Sequence, residues 1–237
     1  MRLLSLGLTT AASDLYWLRF VSYLGSEEVV RDRAAQLYPL AVLITDLDPR
    51  FAYAHEAAGL ALNSVNRLEE AQAILDIGVE RNPGRWQTPF YAGFNAWNGL
   101  AQYEKGASLL LRAARIPGSP GYLTSLATRL FATSDAVQHG IAVIEALLAD
   151  PSLPSPARSE LEERLQALRT EHFIRDVEQR VDLFRLRNGR DPVDLSECGV
   201  GPGGPLVVPD GIELVLDSDG NVVIEGFERL KLYRPGA

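Results

Sequence analysis

The residues of this chain best suited to proton transfer near neutral pH are three histidines, His55, His139 and His172. None sits in an HExxH run or beside the single cysteine, so the spacing needed for a zinc centre is missing. The pair His55–Glu56 lies on a stretch that reads as helix and is expected to be structural. The run Asp217-Ser218-Asp219-Gly220-Asn221 echoes part of a calcium loop. An EF-hand requires further ligands and a glutamate at its twelfth position. The counterpart here, Glu228, has no helix-loop-helix around it, so the run reads as a turn. No glycine-rich phosphate loop follows a strand. The run "GVGPGG" precedes one, and its proline removes a backbone donor. There is no GxSxG element, and Cys198 has no adjacent base, which makes an inert thiol the expectation. The chain is therefore expected not to be an enzyme, with no catalytic residue, no cofactor and no metal.

Charge and composition narrow the partners. The chain has 237 residues, a net charge of −8 and 46% apolar residues. That is enough apolar material for a real core. An acidic chain with scattered Lys and Arg is a poor binder of phosphate backbones, so no nucleic acid is expected. One cysteine excludes an intrachain disulfide and a cysteine-rich zinc site. The opening "MRLLSLGLTTAAS" has a faint signal-peptide look, but its apolar run is below the roughly 7–15 residues of a signal core. No stretch approaches the roughly 20 apolar residues of a membrane span. The chain as given is expected to be soluble, and membrane contact is expected only through an upstream anchor or a partner.

The residues that do cluster are aromatic. Phe90, Phe94 and Trp97 are three to four residues apart, hence on one helical face. They read equally well as a core patch or as a binding surface. The helices that carry such residues are set out by prolines. Pro49, Pro83, Pro117 and Pro151 follow one another at intervals of 34, in the contexts "DLDP", "ERNP", "ARIP" and "LADP". Proline cannot continue a helix and disfavours helical geometry in the residue before it, so each marks a stop. The expected helices are 13–24, 29–47, 52–64, 68–81, 86–98, 103–115, 120–133 and 136–149. Within 68–81, Leu68, Ala71, Leu75 and Val79 recur at helical spacing.

A fixed period of this length, with one helix-turn-helix in each, resembles the tetratricopeptide repeat. With Ala52 as first position, Gly59, Ala71 and Pro83 fall on the family's small, small and proline sites. In the next unit Trp86 is first and Gly93 takes the small site. Gly106 takes the second small site one residue late, and the helix after it is one residue short. The fourth unit, after Pro117, is weaker, with Ala127 and Gly140 near the small sites. The first, from Ser13 to Pro49, is degenerate. The resemblance covers roughly residues 13–151. It implies a groove lined by the first helix of each pair: Tyr53, Glu56, Leu60, Asn63 and Ser64, then Gln87, Phe90, Phe94, Trp97 and Asn98. Such a groove suits an amphipathic or extended segment of another protein. The opening is also similar to bacterial tetratricopeptide proteins in which this segment follows a membrane anchor, which implies either face of an inner membrane as a location.

After Pro151 the texture changes. Residues 156–187 read as one long helix with Ser155 as N-cap and Asn188–Gly189 as its stop. Its stripe is Leu161, Leu165 and Leu168, then Phe173, Val177, Val181 and Phe184, shifting by one residue around His172. The first half is expected to cover the end of the repeats, the second to turn toward a hairpin at 212–225. Residues 173–225 are similar to the globular part of type II secretion pseudopilins, on Phe184, Gly189, Pro192, Leu195 and the turn Asp217–Gly220. This chain departs from that family in having no apolar N-terminal helix.

The expected architecture is mainly α. It comprises a solenoid of about four helix pairs over 1–154, a long capping helix over 155–188 and a small β-hairpin module over 189–237. The expected function is a non-catalytic scaffold that holds another protein in a multi-subunit assembly. The alternative is a structural subunit permanently integrated in a larger complex.

Overall fold

The computed structural model describes residues 8–133, 136–201, 204–206, 208, 213–217, 221–224, 227 and 229–230. The signal-like start, Glu228, the hairpin tip at 218–220 and parts of the glycine- and proline-rich loop lie outside the described residues. The chain is mainly α, with one two-stranded antiparallel sheet near its C-terminus. It divides into two compact units, Met1–Leu130 and Phe131–Ala237. That division falls inside a helix.

In the N-terminal unit the helices are α1 Thr9–Leu24, α2 Glu28–Arg31, α3 Leu37–Leu47, α4 Ala52–Ser64, α5 Leu68–Arg81, α6 Gln87–Phe94 and α7 Tyr103–Ala114. Helix α8, Tyr122–Thr133, carries the division. Pro49, Pro83 and Pro117 each fall two or three residues beyond the ends of α3, α5 and α7, where a missing N–H costs nothing. Helix α1 packs on α3, α3 on α4, α4 on α5, α5 on α6 and α6 on α7. Phe20, Leu37, Ile44, Leu62 and Ile74 belong to one cluster of this core. Helices α4 and α5 approach closely at Gly59. A Cβ there would lie 2.5 Å from Leu75 Cγ.

Two expected helices are broken. The expected 29–47 helix is interrupted between α2 and α3. Arg33 and Ala34 take left-handed φ of 55° and 61°. Side chains disfavour that region by roughly 1–2 kcal/mol per residue. Three observations offset it: Ala34 is buried, its N–H donates to Val29 O at 2.7 Å, and its carbonyl accepts from Arg67 Nη1 at 2.6 Å. Tyr23 Oη donates to Asp32 inside the same turn. The expected 86–98 helix gives way after Phe94 to a π-turn, Asn95–Gly99. The step from Gly93 to Gly106 is one residue longer than the matching step from Gly59 to Ala71. The wider π-turn takes up that extra residue.

The C-terminal unit contains α9, Val137–Leu148, and α10, Ser155–Asn188. At 1.5 Å per residue α10 is about 51 Å long. It starts one residue earlier than expected, with Pro154 rather than Ser155 at the N-cap position. Pro151 lies between the two helices. Helix α10 packs on α9. Arg158 Nη1 donates to Leu148 O at 2.8 Å, and Arg169 pairs with Glu145 at 2.7 Å. Leu161, Leu165 and Leu168 are buried along this half. Beyond His172, Ile174, Val177 and Val181 form a separate core with Val200, Val222 and Ile224. Phe173, expected in the stripe, is only half-buried; Ile174 has the interior place. Strand β1, Leu214–Leu216, pairs antiparallel with β2, Val222–Ile224, in the register Leu214↔Ile224. At the open end of the turn, Asn221 N–H donates to Asp217 Oδ1 at 2.8 Å.

Candidate protein-interaction surface

The expected surface rests on α4 and on α6 with its π-turn, and the structure packs α4 directly on α6. The nine expected residues divide by exposure. Tyr53 is 57% exposed and Leu60 44%. Asn98 is exposed, and Ser64 beside the set is too. Gln87, Phe90, Phe94 and Trp97 are half-buried. Glu56 differs from the expectation. Its carboxylate is buried and accepts from Arg85 Nε at 2.7 Å, Arg85 Nη2 at 2.9 Å and Thr88 Oγ1 at 2.7 Å. A carboxylate with three internal donors is committed to the fold, not to a partner. The same contacts raise the Arg85 guanidinium above its ordinary value, the Glu56 hydrogen bonds being the main cause.

Asn63 is likewise engaged. Its Nδ2 donates to Asn95 Oδ1 at 2.7 Å. Asn95, buried in the π-turn, donates in turn to Leu68 O and Gln72 Oε1, both at 2.9 Å. Gln72 Nε2 donates to Asp76 Oδ1 at 2.8 Å, and Lys105 Nζ reaches Asp76 Oδ2 at 2.6 Å. Every amide in this relay finds a partner, which is what a buried polar group requires. The relay fixes α4, α5, the π-turn and α7 against one another. It was not expected from the sequence. The signal was an Asn inside the aromatic run "GFNAW", where an apolar residue would ordinarily sit.

The rings of the aromatic trio pair with different neighbours. Phe94 and Trp97 meet edge-on at 5.7 Å, while Phe90 meets Trp86 at 6.0 Å and Tyr91 at 5.3 Å. The π-turn moves Trp97 off the α-helical register of Phe90 and Phe94. Trp97 lies over Gly106, where an added Cβ would be 2.7 Å from the Trp97 Cβ. A second aromatic set stands at α1 and α4: Trp17 stacks on Phe20 at 5.4 Å and meets Tyr53 edge-on at 5.7 Å. Tyr53 therefore belongs to a two-helix surface that the spacing of α4 alone does not show.

The other chemistry-bearing residues have structural surroundings. His55 is buried between Ile74 O, 3.1 Å from Nδ1, and Pro49 O, 3.3 Å from Nε2. Burial holds its pKa below the ordinary histidine value. Burial pushes the Cys198 thiol up, which lowers its reactivity. Among the described residues no three or more His, Cys, Asp or Glu stand close enough to hold a metal ion. No helix among them is long and apolar enough to cross a membrane.

Fold and surface together define a mainly helical protein whose N-terminal unit stacks successive helices and leaves apolar side chains of α4 open. Comparison with protein-family models, with curated proteins and with solved structures finds no match.

Proposed function

We propose that this chain is a non-catalytic, tetratricopeptide-like scaffold that holds another protein in a multi-subunit assembly. The observation that carries this reading is the exposure of Tyr53 and Leu60 on α4. The middle of that helix is buried at Ala54, His55, Glu56, Ala58, Gly59, Ala61 and Leu62, and Glu56 and Asn63 lock it to its neighbours. A rigid helix with an open apolar edge suits an amphipathic or extended segment of a partner. The half-buried Phe90, Phe94 and Trp97 extend the apolar surface of α6 and its π-turn. Aromatic groups in such positions tend to dominate binding energies. Gln87 and Asn98 supply polar groups beside them. Location on either face of a bacterial inner membrane, and an anchor upstream, remain part of this proposal. So does the similarity of the tail to pseudopilins.

The test is capture from the source cell with the tagged chain, read by quantitative mass spectrometry. Tyr53→Ser/Leu60→Ser should lose a specific co-purifying protein while the far-ultraviolet circular dichroism stays unchanged. Trp97→Ala should weaken the same capture by roughly 1–4 kcal/mol. Unchanged capture by both variants would remove the reading.

A further inference from the structure

Helix α1 turns one side into the N-terminal unit and leaves the other bare. Ser13, Phe20 and Tyr23 are buried, and Ser13 Oγ donates to Ile44 O of α3 at 3.1 Å. On the opposite side Leu8, Leu15 and Leu18 are exposed, the last two by 70% and 62%. Leu8, Ala11, Leu15 and Leu18 follow one another by three, four and three residues, and all four are exposed. That spacing is the a, d, a, d seam of a heptad. A seam of this kind, fixed in its helical form by contacts on its far side, does not carry the ordering cost that makes short isolated helices marginal.

The occupant is written in the charges beside the seam. In the same register Asp14 is a g position and Arg19 an e position, and both are exposed. At about 100° per residue they flank the apolar stripe on opposite sides. In a parallel pair, g of one helix faces e of the other five residues further on. Asp14 of each copy then meets Arg19 of the other, twice per pair. In an antiparallel pair g faces g and e faces e, which sets Asp14 against Asp14 and Arg19 against Arg19. Charges at e and g decide both partner and orientation. We infer that α1 is a homodimerisation helix, joining two copies of this chain in parallel through Leu8, Ala11, Leu15 and Leu18. This contact is independent of the partner surface on α4 and α6.

The test is sedimentation equilibrium of the full chain over a concentration series from low micromolar upward. The wild-type chain should be a dimer in equilibrium with monomer. Leu15→Glu/Leu18→Glu should be monomeric throughout with unchanged helical circular dichroism, since both side chains project away from the core. Asp14→Arg alone and Arg19→Asp alone should each raise the dissociation constant by about tenfold at low salt. Asp14→Arg/Arg19→Asp together should return it to the wild-type value, a result that a merely sticky face would not give. Three outcomes would overturn the inference: a wild-type chain monomeric at every concentration, a dimer that survives Leu15→Glu/Leu18→Glu, or a double charge swap that fails to restore association. Flotation with phosphatidylserine-containing vesicles is the companion measurement. A monomeric chain that floats through Leu15 and Leu18 would assign the face to lipid and also overturn the dimer.

Discussion

In Met1–Leu130 four side-chain contacts join positions just under the 34-residue proline interval apart. Asn63 to Asn95 and Glu56 to Thr88 are 32 residues apart, and Glu56 to Arg85 and Asp76 to Lys105 are 29. In Phe131–Ala237 one contact closes a much longer loop. Arg229, 58 residues beyond Glu171, donates to it through Nη2 at 2.7 Å and reaches Glu178 through Nη1 at 2.7 Å. The first unit is thus fastened step by step along the chain. The second has a long helix whose far half is clamped by the end of its own chain. Contacts between successive elements form with little loop-closure cost. A contact as distant in sequence as Glu171–Arg229 carries more and should form later.

The largest effect is expected where that clamp is cut. Glu171 is 2% exposed, and Arg229 supplies most of its donors, with Arg175 at 3.5 Å. Removing one partner of a buried pair strands the other charge, which costs about 3 kcal/mol at a site this partly exposed. Arg229→Ala should therefore melt the core of Ile174, Val177, Val181, Val222 and Ile224 first. Hydrogen exchange should rise across β1 and β2 and stay unchanged in α4 and α5. Equal loss of protection in both units would end the contrast drawn between them.

Thr88 offers the matching cut in the N-terminal unit. It is fully buried, and its hydroxyl is one of three donors to Glu56. Thr88→Val keeps the shape and removes a bond to a charged group, at a cost of about 2 kcal/mol. The two Arg85 bonds remain, so the loss should be smaller than for Arg229→Ala and confined to α4–α6. A smaller effect still is expected of Gly59→Ala. The new methyl group meets Leu75, which is itself buried, so overpacking of about 1–3 kcal/mol is opposed by about 1 kcal/mol of gained helix preference. Chemical denaturation of each variant gives the order directly.

The contrast also explains what could be read from the chain beforehand. Proline at a fixed interval marks a helix end wherever it falls, so the ends of α3, α5, α7 and α9 were legible. So was the contact at Gly59, because a small residue at a fixed place in a periodic pattern has few other uses. The change of core along the long helix near His172 was legible only in part: the one-residue slip put Phe173 inside, where the structure has Ile174. The break at Arg33–Ala34 was not: neither residue is a glycine, and the left-handed pair is held by Arg67, 33 residues from Ala34. The π-turn left a trace, the late Gly106, but the network of the buried Asn95 within it is one that periodicity does not describe. The clamp at Arg229 left none, since local patterns do not report contacts between residues so far apart in the chain. Of the candidate surface, the exposed Tyr53 and Leu60 followed from helical position. The inward turn of Glu56 depended on Arg85 and Thr88 being opposite it.

The finest distinction between the units is one of pH. His55 is a buried base in the N-terminal unit with a carbonyl on each ring nitrogen. A neutral imidazole has one N–H, so it donates to one of the two; protonation would supply a donor to both. Burial, the leading influence, nevertheless lowers the pKa. The Ile74 and Pro49 carbonyls and nearby Glu56 raise it, and Arg81 lowers it. A pKa depressed on folding means that the unfolded chain takes up the proton first. The stability tied to neutral His55 is complete above the unfolded value of about 6.5 and is lost as pH falls from there through the folded value. Because burial and the carbonyls oppose each other, this slope should be the weakest of the effects above. Melts of the wild-type chain and of His55→Gln between neutral and mildly acidic pH isolate it. The wild type should lose more stability than the variant on acidification. The difference should appear in the exchange of α4 and α5 and be absent from α10. A wild-type chain that gained on His55→Gln as pH fell would place the folded pKa above the unfolded one and make the two carbonyls, not burial, the stronger influence.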